Sequence, residues 1–301
     1  ESPVEKTVQA GLPSGTGLGK YRILERIRTG YNCVVYKARD AMLDRLVAIK
    51  QMSTDLIDSP VACGNFKREA QLLARLPKDA TNVINIHELI EEGTGLFIVE
   101  EYVFGDWLET LVSKRRVGPD DALGLLRTAA NGLLTLHDHQ IVHRDVQPGN
   151  LLIAKGHLCK VANFASAAHE GDLSSPPVIT PKYAAPELLL EQKYDDRVDI
   201  YALGMIIWEV CVGRRALNEY FSNVVAQPLG AVGKWIEWHC DLTKTLPDAS
   251  ELNPLVSPEL SAILRRMTAK SLDHRFTAIS DVLAAIGELD PTLPFATNAS
   301  R

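Results

Sequence analysis

One short polar stretch brings together residue types that do acid–base and cation-binding chemistry. Residues 143–150 read His-Arg-Asp-Val-Gln-Pro-Gly-Asn, so a carboxylate and a carboxamide, Asp145 and Asn150, stand five residues apart. A carboxylate can act as a general base, and side-chain oxygens of both kinds can bind a hard cation. The same string could be an ordinary polar loop in which this combination arose by chance. The elements around it must decide between the two interpretations.

The predicted elements change type along the chain. Short β-rich runs separated by turn residues predict strands within residues 21–103, interrupted by one helix that Pro77 ends. Beyond Gly105, helical periodicity predominates. The sequence therefore predicts an α+β protein with a small β-rich lobe, which contains one main helix, and a larger, mainly helical lobe. The expected divisions are a Gly-, Ser-, Thr- and Pro-rich disordered leader at 1–18, lobes at 19–103 and 104–290, and a C-terminal tail at 291–301.

Composition narrows the classes of partner. The chain of 301 residues is 46% hydrophobic and 23% charged, with a formal net charge of −6, so it lacks the basic surface that nucleic acid requires. Its five cysteines form no C-x-x-C pair, which indicates reduced thiols in a cytoplasm. The longest apolar stretch, 200–212, is shorter than the roughly 20 residues of a membrane span. We expect a cytoplasmic protein with no nucleic-acid partner and no membrane segment.

The polar stretch resembles the protein-kinase catalytic loop H-R-D-x-x-x-x-N, in which the Asp deprotonates the attacking hydroxyl and the Asn holds magnesium. Val-Ala-Ile-Lys at 47–50 is similar to the family's third-strand motif, and Glu69 follows at the position of the ion-pair partner of its lysine. An A-P-E-like anchor at 184–187 is followed by Arg275, the expected partner of its glutamate. The resemblance covers about residues 21–289. It implies the bilobal protein-kinase fold, of serine/threonine and bacterial eukaryotic type.

Several positions that the resemblance assigns to metal and phosphate carry other residue types. Asn-Phe-Ala at 163–165 stands where the family has Asp-Phe-Gly, so the main magnesium ligand is neutral. Gln147 replaces a lysine that neutralises the transferred phosphoryl group. Of the three glycines of the phosphate-covering loop only Gly30 remains, because Arg28 and Cys33 occupy the outer positions. An engineered Asp→Asn change at 163 is an alternative that leaves the other departures unexplained.

A glutamate stands where the family has a bulky neutral residue at the back of the nucleotide cleft. The run 98–103 resembles the last strand and the hinge, which assigns that position to Glu100. A buried carboxylate needs a partner, and we expect Lys50 to be that partner, in competition with Glu69 and with ATP. A slip of one residue in the alignment would place Glu101 there instead.

The presumptive activation segment ends in Ile-Thr-Pro-Lys-Tyr at 179–183, which is similar to the G-T-P-x-Y of serine/threonine kinases. Upstream of it, Ser174 and Ser175 are either phosphate acceptors or solvent-facing turn residues.

The resemblance implies three sets of site positions. They are the catalytic positions Lys50, Glu69, Asp145 and the degenerate Gln147; the nucleotide positions Gly30, Val35, Ala48, Lys50, Glu100, Glu101, Val103 and Leu152; and the weak metal positions Asn150 and Asn163.

The convergence of the departures on one region favours a pseudokinase. Such a domain works as a scaffold or allosteric regulator for protein partners in signalling. It would bind ATP or another nucleotide weakly or without metal, with weak or no magnesium binding. The alternative is an atypical serine/threonine kinase of low activity, because Lys50, Glu69, Asp145 and Asn150 all remain. Transfer of another group from ATP is a third hypothesis.

Overall fold

The computed structural model describes residues 11–30, 32–155, 158–172, 177–226 and 230–290. Contacts among them divide the chain into two units, a smaller one up to Val103 and a larger one from Phe104. The stretch Asp79–Val83 belongs to the larger unit although it precedes the boundary in sequence.

The smaller unit is a six-stranded antiparallel sheet with one main helix. The strands follow the spatial order β1-β2-β3-β4-β6-β5. In chain order, β1 to β6 are Gly17–Leu18, Tyr21–Thr29, Cys33–Asp40, Arg45–Met52, Ile86–Glu92 and Gly95–Glu101. The sheet curls until β2 reaches β5 at its far edge, where the hydroxyl of Tyr21 donates a hydrogen bond to Glu88 Oε2 at 2.6 Å. This curl encloses a core of alternating apolar residues that includes Ile23, Val34, Tyr36, Val47, Ile49 and Val99.

The main helix of this unit, α1, spans Pro60–Arg75. It begins where the sequence provides both usual signals, since Ser59 Oγ accepts a hydrogen bond from the Ala62 amide at 3.3 Å and Pro60 takes the first helical position. Pro77 follows directly after the helix and its cap. One stripe of α1 is buried, and it comprises Phe66, Glu69, Ala70, Leu72 and Leu73.

The prediction that residues 1–18 form a disordered leader is wrong for residues 11–18. Gly17–Leu18 form β1, and the Gly15 amide donates to the Ile23 carbonyl at 2.8 Å. Further upstream, the Leu12 amide donates to the hydroxyl of Tyr36 at 2.9 Å, and the Leu12 side chain packs on the core of the sheet. Composition predicts disorder because the segment is rich in turn residues, whereas the buried tyrosine offers it a specific partner. Residues 1–10 and 291–301 lie outside the described parts of the chain.

The larger unit is mainly helical. In chain order, α2 to α10 are Leu108–Ser113, Pro119–His137, Pro186–Leu189, Arg197–Tyr220, Ser222–Val225, Ala231–Cys240, Ala249–Leu252, Pro258–Met267 and Ile279–Leu289. The long helix α5 is buried over most of its length and packs against α3 and α9. It bends at Gly213, whose φ of 75° favours glycine. Among the described helices, none is both long enough and apolar enough to cross a membrane.

Five short strands position the loops of this unit. They are β7 Gly105–Trp107, β8 Ile141–Val142, β9 Leu151–Ala154, β10 Cys159–Val161 and β11 Ala168–His169. Strand β9 pairs with β7 and β10, and β8 pairs with β11, all antiparallel. These pairings place the loop 143–150, between β8 and β9, beside the loop 162–167, between β10 and β11. The predicted fold of a β-rich lobe with one main helix and a larger helical lobe is confirmed.

Candidate active site

In the smaller unit, Lys50 and Glu69 form a buried ion pair. The Lys50 ammonium lies 2.6 Å from Glu69 Oε1 and 2.8 Å from Oε2, and the two side chains are 7% and 1% exposed. Burial alone would lower the pKa of Lys50, but attraction by Glu69, Cys33 and Glu100 raises it above its ordinary value. The lysine is therefore held as a cation with a fixed position.

Local structure explains how these two residues meet. Side chains alternate along a strand, so Lys50 and Ala48 of β4 project from the same face of the sheet. Glu69 lies in the buried stripe of α1, four residues before Leu73. This stripe faces the six-stranded sheet of the smaller unit. A glutamate in that stripe needs a cationic partner, and Lys50 provides it.

Glu100 is buried close to this pair. It lies on β6 directly opposite Ala48 and is 9% exposed, and its Oε1 has no hydrogen-bond partner. Burial raises the pKa of Glu100 to about 7, although attraction to Lys50 acts in the opposite direction. The expectation that Glu100 is buried is confirmed, but the expectation that it contacts Lys50 is wrong, because both oxygens of Glu69 hold the ammonium group and Glu100 Oε1 has no hydrogen bond.

The alignment of Glu100 and Glu101 is resolved by their surroundings. Glu101 Oε1 accepts hydrogen bonds from Asn85, at 2.8 Å from its backbone amide and 3.3 Å from its side chain. Glu101 is also partly exposed, whereas Glu100 is buried. Position 100 therefore carries the buried carboxylate.

The remaining predicted nucleotide positions belong to both units. In the smaller unit, Val35 of β3 lies opposite Lys50 of β4, and Ala48 occupies the same face. The Gly30 amide, directly after β2, donates to the carbonyl of Cys33, the first residue of β3, at 2.8 Å. Val103 follows β6 and is partly exposed. In the larger unit, Leu152 is buried in β9.

The loop 143–150, which we call the catalytic loop, is anchored by one buried carboxylate. Asp199, in the first turn of α5, accepts the His143 amide at 2.8 Å and the Arg144 amide at 2.9 Å. Arg144 has a φ of 65°, an uncommon value for a residue other than glycine. Two hydrogen bonds to a charged acceptor stabilise this conformation next to Asp145.

Asp145 is held by three neighbours. Its Oδ2 accepts hydrogen bonds from Gln147 at 2.7 Å and Asn150 at 2.9 Å. Its Oδ1 accepts the hydroxyl of Thr180 at 2.8 Å and the Thr180 amide at 3.1 Å. Burial raises the pKa of Asp145 above its ordinary value, although these hydrogen bonds favour the ionised form. Gln147 thus reaches the carboxylate in place of the expected lysine, but without a charge.

The two predicted metal positions bind each other. Asn163 Nδ2 donates a hydrogen bond to Asn150 Oδ1 at 2.9 Å. The magnesium that the resemblance implies fits this donor set poorly, because neither residue is a carboxylate and one ligand oxygen is occupied by the other ligand position. Within the described residues, no group of three or more His, Cys, Asp or Glu could hold a metal ion.

Two further contacts support the larger unit. Phe164 is 1% exposed and its ring centroid lies 5.2 Å from that of His143, so a buried aromatic ring packs against the catalytic loop. The predicted buried pair of Glu187 and Arg275 is confirmed, with nitrogen–oxygen distances of 2.6 and 3.3 Å and side chains 5% and 0% exposed.

Sequence reasoning missed two supports of the catalytic loop. His137, at the end of α3, contacts Asp199 at 3.0 Å through Nε2, and its pKa is raised although burial opposes the charged form. Arg144 binds the hydroxyl of Tyr194 at 2.9 Å and the carbonyl of Ser166. The position of His137 in the last turn of a predicted helix could have indicated its contact with Asp199. No local sequence pattern indicates the contact between Arg144 and Tyr194. The predicted acceptors Ser174 and Ser175 lie outside the described residues.

Comparison with known proteins agrees with this geometry. The family model described as "Protein kinase domain" matches residues 21–285. The chain is 32% identical to serine/threonine-protein kinase PrkC of Bacillus subtilis (strain 168) over 276 residues, which cover 89% of this chain and 40% of PrkC. It is 30% identical to serine/threonine-protein kinase PknL of Mycobacterium tuberculosis over 293 residues, covering 95% of this chain and 69% of PknL. The chain spans about two fifths of the length of PrkC and of several other curated relatives.

Proposed function

This chain belongs to the protein kinase domain family, and from that premise we propose that it binds ATP and transfers the γ-phosphate slowly to serine or threonine of a protein. The observation that carries the proposal is the buried Lys50–Glu69 pair, at 2.6 and 2.8 Å. In the family this lysine holds the α- and β-phosphates only when its glutamate partner is in place. A second carboxylate, Glu100, is buried nearby, and the pair still forms with Glu69.

The relatives support the serine/threonine assignment. PrkC and PknL are both named serine/threonine-protein kinases. We extend that substrate class to this chain, together with a role in cytoplasmic signalling through protein partners. Thr180, in the segment that resembles the substrate-facing motif of such kinases, contacts Asp145 in a way that agrees with this class.

The proposed reaction gives Asp145 the role of base. The substrate hydroxyl oxygen forms a bond to the γ-phosphorus while the bond to the β-phosphate oxygen of ADP breaks, and the hydroxyl proton passes to the Asp145 carboxylate. Thr180, Gln147 and Asn150 fix that carboxylate by hydrogen bonds and so orient it. We further assign Gly30, Val35, Ala48, Glu101, Val103 and Leu152 to nucleotide binding.

The rate of this reaction is expected to be low. Gln147 lacks the positive charge that compensates the transferred phosphoryl group in the family, and Asn163 lacks the carboxylate that holds magnesium there. Each missing unit charge at about 4 Å is worth roughly 4 kcal/mol at an effective dielectric near 20, on the order of a thousandfold in rate.

A second candidate function is regulation without phosphoryl transfer. The observation that favours it is the hydrogen bond between Asn163 and Asn150, which joins the two metal positions to each other. A domain of this kind would bind protein partners in its folded state and use nucleotide, if at all, as a structural ligand.

A radiolabelled ATP assay on a generic protein substrate separates the two functions. The natural chain is compared with Asp145→Ala and with Asp138→Ala, an exposed aspartate at the end of α3 that serves as the matched control. We expect weak labelling that Asp145→Ala abolishes and Asp138→Ala retains. Labelling that is absent from all three proteins, or that survives Asp145→Ala, refutes the proposed enzyme. The first of these results favours the regulator.

A further inference from the structure

The orientation of the two asparagine side chains follows from their neighbours. Asn150 Nδ2 donates to the backbone carbonyl of Asp145 at 2.7 Å and to Asp145 Oδ2 at 2.9 Å. Both of these atoms are acceptors, so the nitrogen of Asn150 must face them. Its oxygen consequently faces Asn163 and needs a donor, which Asn163 Nδ2 provides at 2.9 Å. We call Asn150 and Asn163 the amide pair.

The amide pair also connects two loops. The Ala162 amide donates to the Asn150 carbonyl at 2.9 Å, so backbone and side chain both join the catalytic loop to the segment after β10. Asn163 itself has a φ of 63°, in the left-handed region that asparagine tolerates better than most residues. An asparagine thus satisfies the backbone conformation and the hydrogen bond together.

A carboxylate at position 163 could not make this contact. Both oxygens of an ionised aspartate are acceptors, so one of them would face Asn150 Oδ1 without a proton between them. A hard cation such as magnesium would remove this repulsion by binding the oxygens. In this chain the NH₂ group of Asn163 donates to Asn150 Oδ1 and removes the repulsion without a cation.

We propose that the amide pair takes the place of the metal ion, so that this domain binds ATP without a divalent cation and Asn163 is the residue that determines this independence. The inference rests on the proposed ATP binding and deepens it. Because Asn163 carries a neutral amide, this position has no carboxylate that would repel nucleotide phosphates in the absence of metal. The direct hydrogen bond holds the two loops in the positions that a metal would otherwise impose.

ATP affinity measured by titration, once with magnesium and once with EDTA, tests the proposal on the natural chain, Asn163→Asp and Asn163→Ala. We expect the natural chain to bind ATP within about twofold under both conditions. Asn163→Asp should lose about tenfold or more of its affinity in EDTA and regain it with magnesium, because a carboxylate close to phosphate repels it unless a cation is bound between them. Asn163→Ala carries no charge, so it should bind equally under both conditions, and more weakly than the natural chain because the side-chain hydrogen bond between its loops is lost.

The side-chain amide signals of the amide pair, observed by ¹⁵N NMR, give a readout that does not require ATP binding. We expect magnesium to leave the Asn150 and Asn163 signals of the natural chain unmoved. Movement of those signals, or a need for magnesium in ATP binding by the natural chain, overturns the proposal. Absence of ATP binding under both conditions refutes the proposed ATP-dependent function and the metal-independent binding together, whereas ATP binding that requires magnesium overturns only the second.

Discussion

Glu100 offers a measurable test of the electrostatics of the smaller unit. Its carboxyl has a pKa of about 7 in the folded protein against an ordinary value of 4.5. One pKa unit corresponds to about 1.4 kcal/mol, so ionised Glu100 destabilises the folded state by about 3 kcal/mol above pH 7. Burial is the main cause of the raised pKa. Attraction to Lys50 offsets part of it, and repulsion by Glu69 and Glu101 adds to it. Glu100→Gln keeps the shape and removes the charge.

The sign of the effect follows from proton binding. Between about pH 4.5 and 7 the folded chain holds a proton on Glu100 that the unfolded chain has released, so this group's contribution to stability falls as the pH rises. The free energy of unfolding of Glu100→Gln, relative to the natural chain, should therefore increase by about 2.5 kcal/mol between pH 5 and pH 8. The curve should level off above the folded pKa.

Urea denaturation at a series of pH values measures this difference. Glu92→Gln is the matched control, because Glu92 is an exposed glutamate of the same sheet, and its difference from the natural chain should stay within about 0.5 kcal/mol throughout. A difference for Glu100→Gln that does not change with pH would show that Glu100 is not a buried, poorly compensated carboxylate. A growing destabilisation at high pH would show that its charge is well paired.

Three other outcomes are expected. Arg275→Ala should lower the free energy of unfolding by about 3–5 kcal/mol in urea denaturation, whereas Arg265→Ala, which breaks an exposed pair, should lower it by less than about 1 kcal/mol. Equal effects of the two substitutions would contradict the buried pair. In magnesium, Asn163→Asp alone should leave ATP-dependent labelling far below that of Asn163→Asp with Gln147→Lys, since only the lysine supplies the positive charge that the phosphoryl group still lacks, and full activity in the single variant would oppose this reasoning. Tyr36→Phe should cost about 1–2 kcal/mol by chemical denaturation because its hydroxyl binds the Leu12 amide and Gln51; no loss would mean that the leader does not dock there.

The sequence by itself determined the fold class and the order of the site residues. The site residues of the catalytic loop lie within the eight positions 143–150. A loop of that length between two strands brings them close together independently of the fold of the rest of the chain. The pair of Glu187 and Arg275 was predictable across 88 residues because the resemblance supplied both partners. A buried charge left without its partner costs about 3–5 kcal/mol, which favoured that prediction.

Only the tertiary structure decided which of several available partners each polar group takes. Lys50 had two candidate carboxylates, and the position of α1 on the sheet gives it to Glu69 and leaves Glu100 Oε1 buried without a hydrogen bond. The leader seemed too polar to order, yet the hydroxyl of Tyr36 binds it.

The asparagines of the larger unit show the same limit. Their residue types indicate a weakened metal site, but not that the two side chains bind each other. That outcome depends on the pairings of β8 with β11 and of β9 with β10, which set the catalytic loop beside Asn163. Hydrogen bonds are decided by distances of a few tenths of an ångström and by direction, and neither is encoded locally in the sequence.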